Sequence, residues 1–205
     1  MMKKLLILIF PLLLWTSCKK KDSTYYKNRL EKLAKYVSDS YSGKVEEPSR
    51  YRQNNENGKI FRLSDEGSYE YDKYCFLDFV REKGKIVYVS KLIYLNDKGL
   101  KTYEYFFDDE KLIGMRKLYQ IPTTSVCAEK INYRKSYALN MKTNKFEFIV
   151  DRSYNQKGDD IEMKSECKKY REKLKMRMDD DNTEEMTNFR DLQGFLETEK
   201  IKYYK

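Results

Sequence analysis

The apolar residues near the start of the folded part of the chain recur at helical intervals. Between residues 23 and 41 the spacing is three or four positions, at Tyr26, Leu30, Leu33, Val37 and Tyr41. This spacing places them on one face of an α-helix. A polar residue at 22–24 is suited to cap its start, and Gly43 is suited to end it. We predict an amphipathic N-terminal helix that packs on a sheet, with a partner-binding helix as the alternative.

From residue 59 onward the pattern changes to short runs of aromatic and β-branched residues separated by turn residues. The predicted strands are 59–63, 68–81, 85–95, 100–107, 111–119, 130–140 and 145–154, with Gly, Asn and Asp in the turns between them. Such runs are typical of antiparallel hairpins. Residues 45–58, with Pro48 and three asparagines, predict a loop.

The C-terminal part carries two competing periodicities. Residues 161–178 fit both a strand and a helix face, and the Gly158 turn before them favours a strand first and a helix after. Met186, Phe189, Leu192 and Leu196 predict a last helix. The fold class is therefore α+β: an N-terminal helix, a mainly antiparallel sheet of hairpins and C-terminal helical segments, forming one domain over residues 23–205.

Two neighbouring hairpin segments, "YLNDKGLKTYEYF" and "FFDDEKLIGMRKL", align with Asp97 on Asp109 and Leu100 on Leu112. This stretch, residues 94–119, resembles the turn-and-strand units of bacterial MORN-type and YwqK-like repeat proteins. The glycines and tryptophans of those repeats are missing here. We interpret the segments as two ordinary hairpins, with repeat ancestry as the alternative.

The first residues have the pattern of an export signal. Two lysines precede an apolar run at 5–15, which is shorter than the roughly 20 residues that span a bilayer. Thr16, Ser17 and Cys18 then match the end of bacterial type II signal peptides, which this segment resembles; Trp15 stands where a leucine is usual. The composition of the chain is similar to that of Bacteroidota lipoproteins. An ordinary cleaved signal with an incidental cysteine is the alternative.

The resemblance implies a domain order and a site of attachment. Residues 1–17 would be a lipoprotein signal peptide cleaved after Ser17, and residues 18–22 a lipidated basic tether. The Cys18 thiol would receive diacylglycerol and its new amine an acyl chain, which together make a stable membrane anchor. Lys19 is not the aspartate that favours inner-membrane retention in enterobacterial lipoproteins. The basic run 19–21 also differs from the acidic residues of surface-exported lipoproteins, so the resemblance favours the periplasmic face of the outer membrane, with the inner membrane and the cell surface as alternatives.

The net charge and the residue types limit the ligands and reactions that we expect for this chain. Removal of residues 1–17 takes away two lysines and lowers the formal net charge from +9 to +7, with both signs mixed along the chain and no arginine-rich patch in the linear sequence. We expect no nucleic-acid partner. The absence of histidine excludes Ser-His and Cys-His nucleophile schemes. No phosphate loop is present, and the acidic run 179–181 lacks the glycine and final glutamate of an EF-hand. We predict no cofactor and no metal site.

Three cysteines remain after Cys18, and none has CxxC spacing. Cys75 lies in an apolar strand and is interpreted as a buried small hydrophobe. Cys127 and Cys167 lie beside polar residues and are the preferred disulfide pair in an oxidising periplasm, with three free thiols as the alternative.

The tyrosines supply the candidate binding surface. Tyr69 and Tyr71 share one strand face, as do Tyr103 and Tyr105, and their flat rings with a polar tip suit glycan or protein. The alternative is that they form half of an ordinary sheet core. Two functions from different classes follow: a non-catalytic binding or scaffolding module of the envelope, of which an inhibitor or immunity protein is a narrower version, or an envelope enzyme that uses carboxylates.

Overall fold

The computed structural model describes residues 23–63, 73–95, 99–122, 130–140, 142–155, 157–158, 160 and 183–198. Within these ranges the chain forms helix α1 (Ser23–Tyr41), eight strands and helix α2 (Thr183–Thr198). The strands are β1 (Ser49–Asn54), β2 (Ile60–Arg62), β3 (Tyr74–Glu82), β4 (Lys85–Tyr94), β5 (Leu100–Asp108), β6 (Lys111–Pro122), β7 (Lys130–Asn140) and β8 (Lys145–Asn155). The α+β class predicted from the sequence is confirmed.

Helix α1 has the bounds that the apolar spacing predicts. Tyr26, Leu30, Leu33 and Val37 are buried. Its C-terminus closes with two backbone hydrogen bonds, from Gly43 to the Ser40 carbonyl (3.2 Å) and from Lys44 to the Asp39 carbonyl (2.9 Å). This pair of bonds is a Schellman motif, which needs a left-handed residue just past the helix, and Gly43 supplies it with φ of 71°.

The eight strands form one antiparallel sheet in the order β2-β1-β3-β4-β5-β6-β7-β8. From β3 to β8 the sheet is a meander in which each strand pairs with the next along the chain. The first hairpin folds back so that β1, rather than β2, pairs with β3. Neither of the described helices is long and apolar enough to cross a membrane.

Three β-bulges lie on alternate strands of the meander and shape one face of the sheet. In each, one residue lies between two register pairs without a partner of its own: Val87 in β4, Ile113 in β6 and Ile149 in β8. All three pack in the cluster formed with helix α1. Since a bulge turns an extra side chain toward one face, the three bulges enlarge the apolar surface on which helix α1 packs.

The two helices lie on opposite faces of the sheet. Helix α1 packs with Val80, Tyr88, Phe106 and the bulge residues on one face. Helix α2 packs its Phe189, Leu192 and Leu196 on the other, where they contact the larger cluster that includes Leu77, Phe79, Val89, Tyr103, Tyr105, Phe107, Met115 and Tyr137. The sheet is thus the middle of three layers.

One prediction about the described residues is wrong. The segment 45–58 was predicted to be a loop, yet it contains strand β1, which pairs with β2 on one side and with β3 on the other. Its sequence, Ser-Arg-Tyr-Arg-Gln-Asn, is polar because only Tyr51 packs against the core. The competing strand and helix at 161–178 lie outside the described residues.

Candidate functional site

Polar side chains cross the sheet on the face that carries helix α1, beyond the rows that the helix contacts. The register places Asp78, Ser90, Glu104, Arg116 and Ser136 in one row across strands β3 to β7. The next row outward contains Arg134 opposite Arg152 on strands β7 and β8. Three arginines from three adjacent strands therefore share one face. We call Arg116, Arg134, Ser136 and Arg152 the arginine face.

Three buried polar atoms of the arginine face lack a hydrogen-bond partner among the residues that the structure describes. They are the Nε atoms of Arg116 and Arg134 and the hydroxyl oxygen of Ser136. Arg116 pairs with Ser136 across the strands, and Arg134 lies two residues before Ser136 on the same face. Buried polar groups without a partner are uncommon in folded proteins and each costs about 1–3 kcal/mol. The three atoms are themselves enclosed, but the Arg116 and Arg134 side chains are only half-buried, so this part of the sheet is a candidate site for an anion that approaches from the surface.

The charges around these atoms leave a surplus of positive charge. Arg152 is paired with Asp160, with 2.5 Å between Nε and a carboxylate oxygen. Neither Arg116 nor Arg134 has an ion pair within 4.0 Å among the described residues. Glu104 lies opposite Arg116, but its carboxylate accepts its hydrogen bond from the Tyr88 hydroxyl (2.8 Å).

The pKa of Arg116 reports this environment. Burial lowers the pKa of its guanidinium, the charge of Glu104 raises it, and the like charge of Arg134 lowers it again. The guanidinium carbon also lies 4.8 Å from the centroid of the Phe106 ring, a cation–π contact that fixes its position. Arg116 is thus held in place by packing, while its buried Nε atom has no hydrogen-bond partner among the described residues.

The opposite end of the polar row meets an open cleft of about 480 Å³ beside the end of helix α1, lined by Ser40, Tyr41, Glu47, Pro48, Ser49, Arg50, Arg62 and Leu63. Here the Asp78 carboxylate is paired within the protein. Tyr41 donates a hydrogen bond to Asp78 (2.6 Å), and Arg50 lies 3.8 Å from the same carboxylate. Burial raises the pKa of Asp78, whereas its two partners lower it. The internal pairing leaves less capacity for a ligand than the arginine face has.

A second polar cluster lies on the other face, under the first turn of helix α2. The Glu184 carboxylate accepts hydrogen bonds from Lys101 (2.8 Å), Tyr103 and Lys117. The Tyr105 hydroxyl donates to the backbone carbonyl of Glu185 (2.8 Å). Lys117 is fully buried, so its charge is compensated inside the protein.

Neighbouring carboxyl groups in this cluster have opposite pKa shifts. Burial raises the pKa of Glu184, but the hydrogen bonds from its two lysines and one tyrosine outweigh it and lower the pKa to about 2. Burial raises the pKa of Glu185, whose side chain is 0 % exposed and whose carboxylate oxygens lack a hydrogen-bond partner. Opposite shifts are a feature of acid–base pairs. A substrate does not reach the inaccessible Glu185, however, and the contacts made by Glu184 tie helix α2 to the sheet.

Tyr103 and Tyr105, two of the tyrosines predicted to form a binding surface, are buried under helix α2. Tyr103 is 1 % exposed and Tyr105 is 0 % exposed, with both hydroxyls bonded to helix α2. These two residues belong to the core, which is the alternative given for them, because helix α2 covers the strand face that they share. Tyr69 and Tyr71 lie outside the described residues.

Of the remaining predicted positions, one is buried and the others lie outside the described residues. Cys75 is a free cysteine, 2 % exposed, which confirms its interpretation as a buried small hydrophobe. Ser17, Cys18, Cys127 and Cys167 lie outside the described residues, as does the acidic run 179–181. Within the described part of the chain, no group of three or more Cys, Asp or Glu residues is arranged to hold a metal ion.

The arginine face is the feature that the linear sequence does not display. Arg116, Arg134 and Arg152 are spaced eighteen positions apart and each stands alone among lysines and acidic residues. The even spacing across three consecutive predicted strands is the signal that was available. It becomes informative only when the register is known, because a shift of one residue sends a side chain to the opposite face.

Comparison with known proteins gives no relative. The chain matches no family of proteins, and no curated protein or solved structure is significantly similar to it.

Proposed function

We propose that this protein is a membrane-anchored lipoprotein of the bacterial envelope and that it serves as a non-catalytic module that binds an anionic ligand on the arginine face. The observation that carries the binding role is the set of unpartnered buried atoms of Arg116, Arg134 and Ser136. A guanidinium offers five donors in a fixed fork that suits carboxylate and phosphate oxygens. An anionic ligand would satisfy both the donors and the surplus charge.

The anchoring part of the proposal is supported by the sequence pattern at residues 15–21. Cys18 would carry the lipid after cleavage behind Ser17, and the tether up to residue 22 would lead directly into helix α1. We further propose that this helix is amphipathic, with its buried side toward the sheet and its other side toward solvent. The periplasmic face of the outer membrane is the proposed location, which would hold the arginine face near anionic lipids and glycans.

An enzyme that uses carboxylates is the alternative from a different class. Its support is the pair of opposite pKa shifts at Glu184 and Glu185. The burial of Glu185 and the internal ion pairs of Glu184 favour a structural role for these groups. An inhibitor or immunity protein is a narrower form of the binding module, and its partner would need an acidic surface to face the two arginines.

Immobilised anions test the binding role. The full chain, solubilised in a neutral detergent, is passed over polyphosphate, dextran sulfate, polygalacturonate and neutral dextran at about 0.15 M salt. We expect retention on at least one anionic matrix, and weaker retention of a variant that carries both Arg116→Gln and Arg134→Gln. The matched control is the double variant Lys59→Gln with Arg62→Gln, which removes the same two charges from exposed residues. Equal loss of retention in the double variant and in this control would overturn the proposal, because binding would then follow net charge alone; equal retention of all three proteins on every anionic matrix would overturn it as well.

Lipid labelling tests the anchor separately. Replacement of Cys18 by Ala should abolish incorporation of labelled palmitate and release the protein from membranes during fractionation. Unchanged labelling would contradict the assignment of Cys18, without bearing on the arginine face.

A further inference from the structure

The arginine face is selective in the kind of anion that it is built to hold. We infer that its ligand is a phosphate monoester or inorganic phosphate, bound as a dianion by Arg116, Arg134 and Ser136. This inference rests on the proposed function and deepens it by naming the ligand class.

Charge favours a dianion over a carboxylate. Two guanidinium groups, those of Arg116 and Arg134, have no ion-pair partner within 4.0 Å among the described residues, whereas Arg152 and Arg50 are paired with Asp160 and Asp78. A phosphate monoester carries a charge of about −1.5 to −2 at neutral pH. A single carboxylate carries −1 and would leave one half-buried cation uncompensated. Glu104 already lowers the surplus at Arg116, so a ligand with more negative charge than a monoester is not required.

The number of acceptor oxygens also favours a phosphate monoester over a carboxylate. The unsatisfied atoms belong to three different side chains. A monoester has three terminal oxygens in a tetrahedral arrangement, so each side chain can have its own acceptor. A carboxylate has two oxygens in one plane, which suits one bidentate arginine. A phosphate diester likewise keeps only two charged terminal oxygens.

The register brings the three donors to the edges of one small area. Ser136 lies directly opposite Arg116 on strands β6 and β7. Arg134 is the diagonal neighbour of Arg116, at a position typically about 7–8 Å away between backbones, within reach of long side chains. The influence of the Arg134 charge on Arg116 agrees with this proximity. A ligand placed over Ser136 would be approached by one guanidinium from each side.

The ligand comes from one of two sources with the same chemistry, a membrane headgroup or a soluble compound. A lipid with a terminal phosphate would bind while the protein is anchored beside it. A free phosphate or small phosphate ester would reach the face from the periplasmic fluid. The experiment needs one arm for each source.

Titration calorimetry with the detergent-solubilised full chain at about pH 7.5 tests the ligand class. Methyl phosphate is compared with dimethyl phosphate, which has a single charge, and with succinate, which has two charges but no tetrahedral group of oxygen atoms. We expect methyl phosphate to bind most tightly. Since a hydrogen bond to a charged group is a strong interaction, Arg134→Gln should weaken binding about tenfold to a hundredfold. Arg62→Gln should leave binding unchanged.

Two milder variants separate geometry from charge and from folding. Arg134→Lys keeps the charge but loses the Nε donor and the planar fork, so it should still weaken binding, by about tenfold. Ser136→Ala removes only a hydroxyl and should weaken methyl phosphate binding while leaving succinate unaffected. Circular dichroism and thermal unfolding verify that each variant is folded. Full affinity in Arg134→Lys would overturn the assigned geometry.

Vesicle flotation provides the second arm. Vesicles of phosphatidylcholine are compared with mixtures that contain either phosphatidic acid, a monoester, or phosphatidylglycerol, a diester, and the chain carries Cys18→Ala so that the proposed lipid anchor does not insert into every vesicle. Binding that requires phosphatidic acid and Arg134 assigns the headgroup as the ligand, whereas methyl phosphate binding without such flotation assigns a soluble ester; both outcomes support the inference. Tighter binding of succinate than of methyl phosphate, dependent on Arg116 and Arg134, would overturn the inference and leave the proposed function standing. Absence of arginine-dependent binding to every anion would overturn both.

Discussion

Lys117 of strand β6 and Glu184 of helix α2 form an ion pair that joins the interior of the sheet to the first turn of the helix. The Lys117 side chain is 0 % exposed. A buried ammonium group is tolerated only when a partner compensates its charge. The position of helix α2 is therefore fixed by electrostatics at its N-terminus and by apolar packing of Phe189, Leu192 and Leu196 along its length.

Replacement of Glu184 by Gln should destabilise the protein by about 2–3 kcal/mol at pH 7, because it leaves the Lys117 charge buried without its counter-charge. Urea unfolding followed by circular dichroism measures the change. Glu31→Gln, on the exposed side of helix α1, is the control and should change stability by less than about 0.5 kcal/mol. An equal effect of both variants would show that the ion pair adds nothing to stability.

The contribution of Glu184 should also depend on pH. Its pKa in the folded protein, about 2, lies below the ordinary value of 4.5, so the unfolded chain takes up the proton first as the pH falls. The stabilisation is fully present above pH 4.5 and is lost as the pH falls toward 2. The difference in unfolding free energy between wild type and Glu184→Gln should shrink across this window. Comparison of the two proteins at each pH cancels the carboxyl groups that do not interact with Glu184; Glu185 does not cancel, because the Glu184 charge contributes to its raised pKa.

Local patterns predicted most of the secondary structure because each signal lies within a few residues. Helix α1 has its predicted bounds, and β7 is found where its run of residues begins and ends. Strand β1 was missed for a physical reason. It lies between two other strands, so its backbone hydrogen bonds are satisfied by neighbours. Only Tyr51 is required for packing, and the sequence carries little hydrophobic signal.

The candidate site could not be predicted because its residues meet only through the register of separate strands. Arg116, Arg134 and Ser136 belong to two hairpins, and their common face depends on the register between strands β6 and β7, which local patterns do not reveal. The reverse applies to Tyr103 and Tyr105. Their alternation predicted correctly that they share a face, but the residues that cover this face, in helix α2, are eighty positions later in the chain.

Gly114 allows helix α1 to approach the sheet closely. A Cβ atom at this position would lie 2.5 Å from the Leu30 Cδ1 atom. Gly114→Ala should therefore destabilise the protein by about 1–3 kcal/mol through overpacking. The combination with Leu30→Ala should cost less than the sum of the two single changes, since the truncated side chain no longer collides. Strict additivity in urea unfolding would contradict this contact.

Substitution of a glycine in helix α2 by alanine should have the opposite effect on stability. A Cβ atom at Gly194 would have no heavy atom within 4 Å, and the residue lies in the helix interior. Gly194→Ala should stabilise the protein by about 0.5–1 kcal/mol because alanine loses less backbone freedom when the helix forms. A thermal unfolding midpoint that falls on this substitution would contradict the open space around Gly194.

Cys75 should be unreactive in the folded protein. Burial raises the pKa of its thiol, with the nearby Lys91 charge lowering it in part, and the sulfur donates to the Gln53 side chain (3.4 Å). The thiolate is the reactive form, so labelling by iodoacetamide at about pH 8 should require unfolding. Mass spectrometry of the peptide that contains Cys75 separates it from the other cysteines. Equal labelling rates with and without urea would show that the thiol is accessible.

Arg134 should lower the stability of the ligand-free protein. Its buried Nε atom has no hydrogen-bond partner, and the Arg116 charge is nearby. Arg134→Met keeps much of the side-chain volume while it removes both the unsatisfied donor and the repulsion. The free energy of unfolding should rise by about 0.5–1 kcal/mol, as is common where a residue serves binding rather than folding.

Addition of methyl phosphate should reverse the order of the two proteins. A ligand that binds only the folded state stabilises it by about 2.7 kcal/mol at a concentration one hundred times its dissociation constant. Wild type should gain this stabilisation, whereas Arg134→Met should gain little at the same concentration. Arg50→Met is the control, since Arg50 lies on the same face but near Asp78 (3.8 Å), and its substitution should leave the response to methyl phosphate intact. If Arg134→Met were less stable than wild type without ligand, Arg134 would have a packing role that its unsatisfied guanidinium does not indicate.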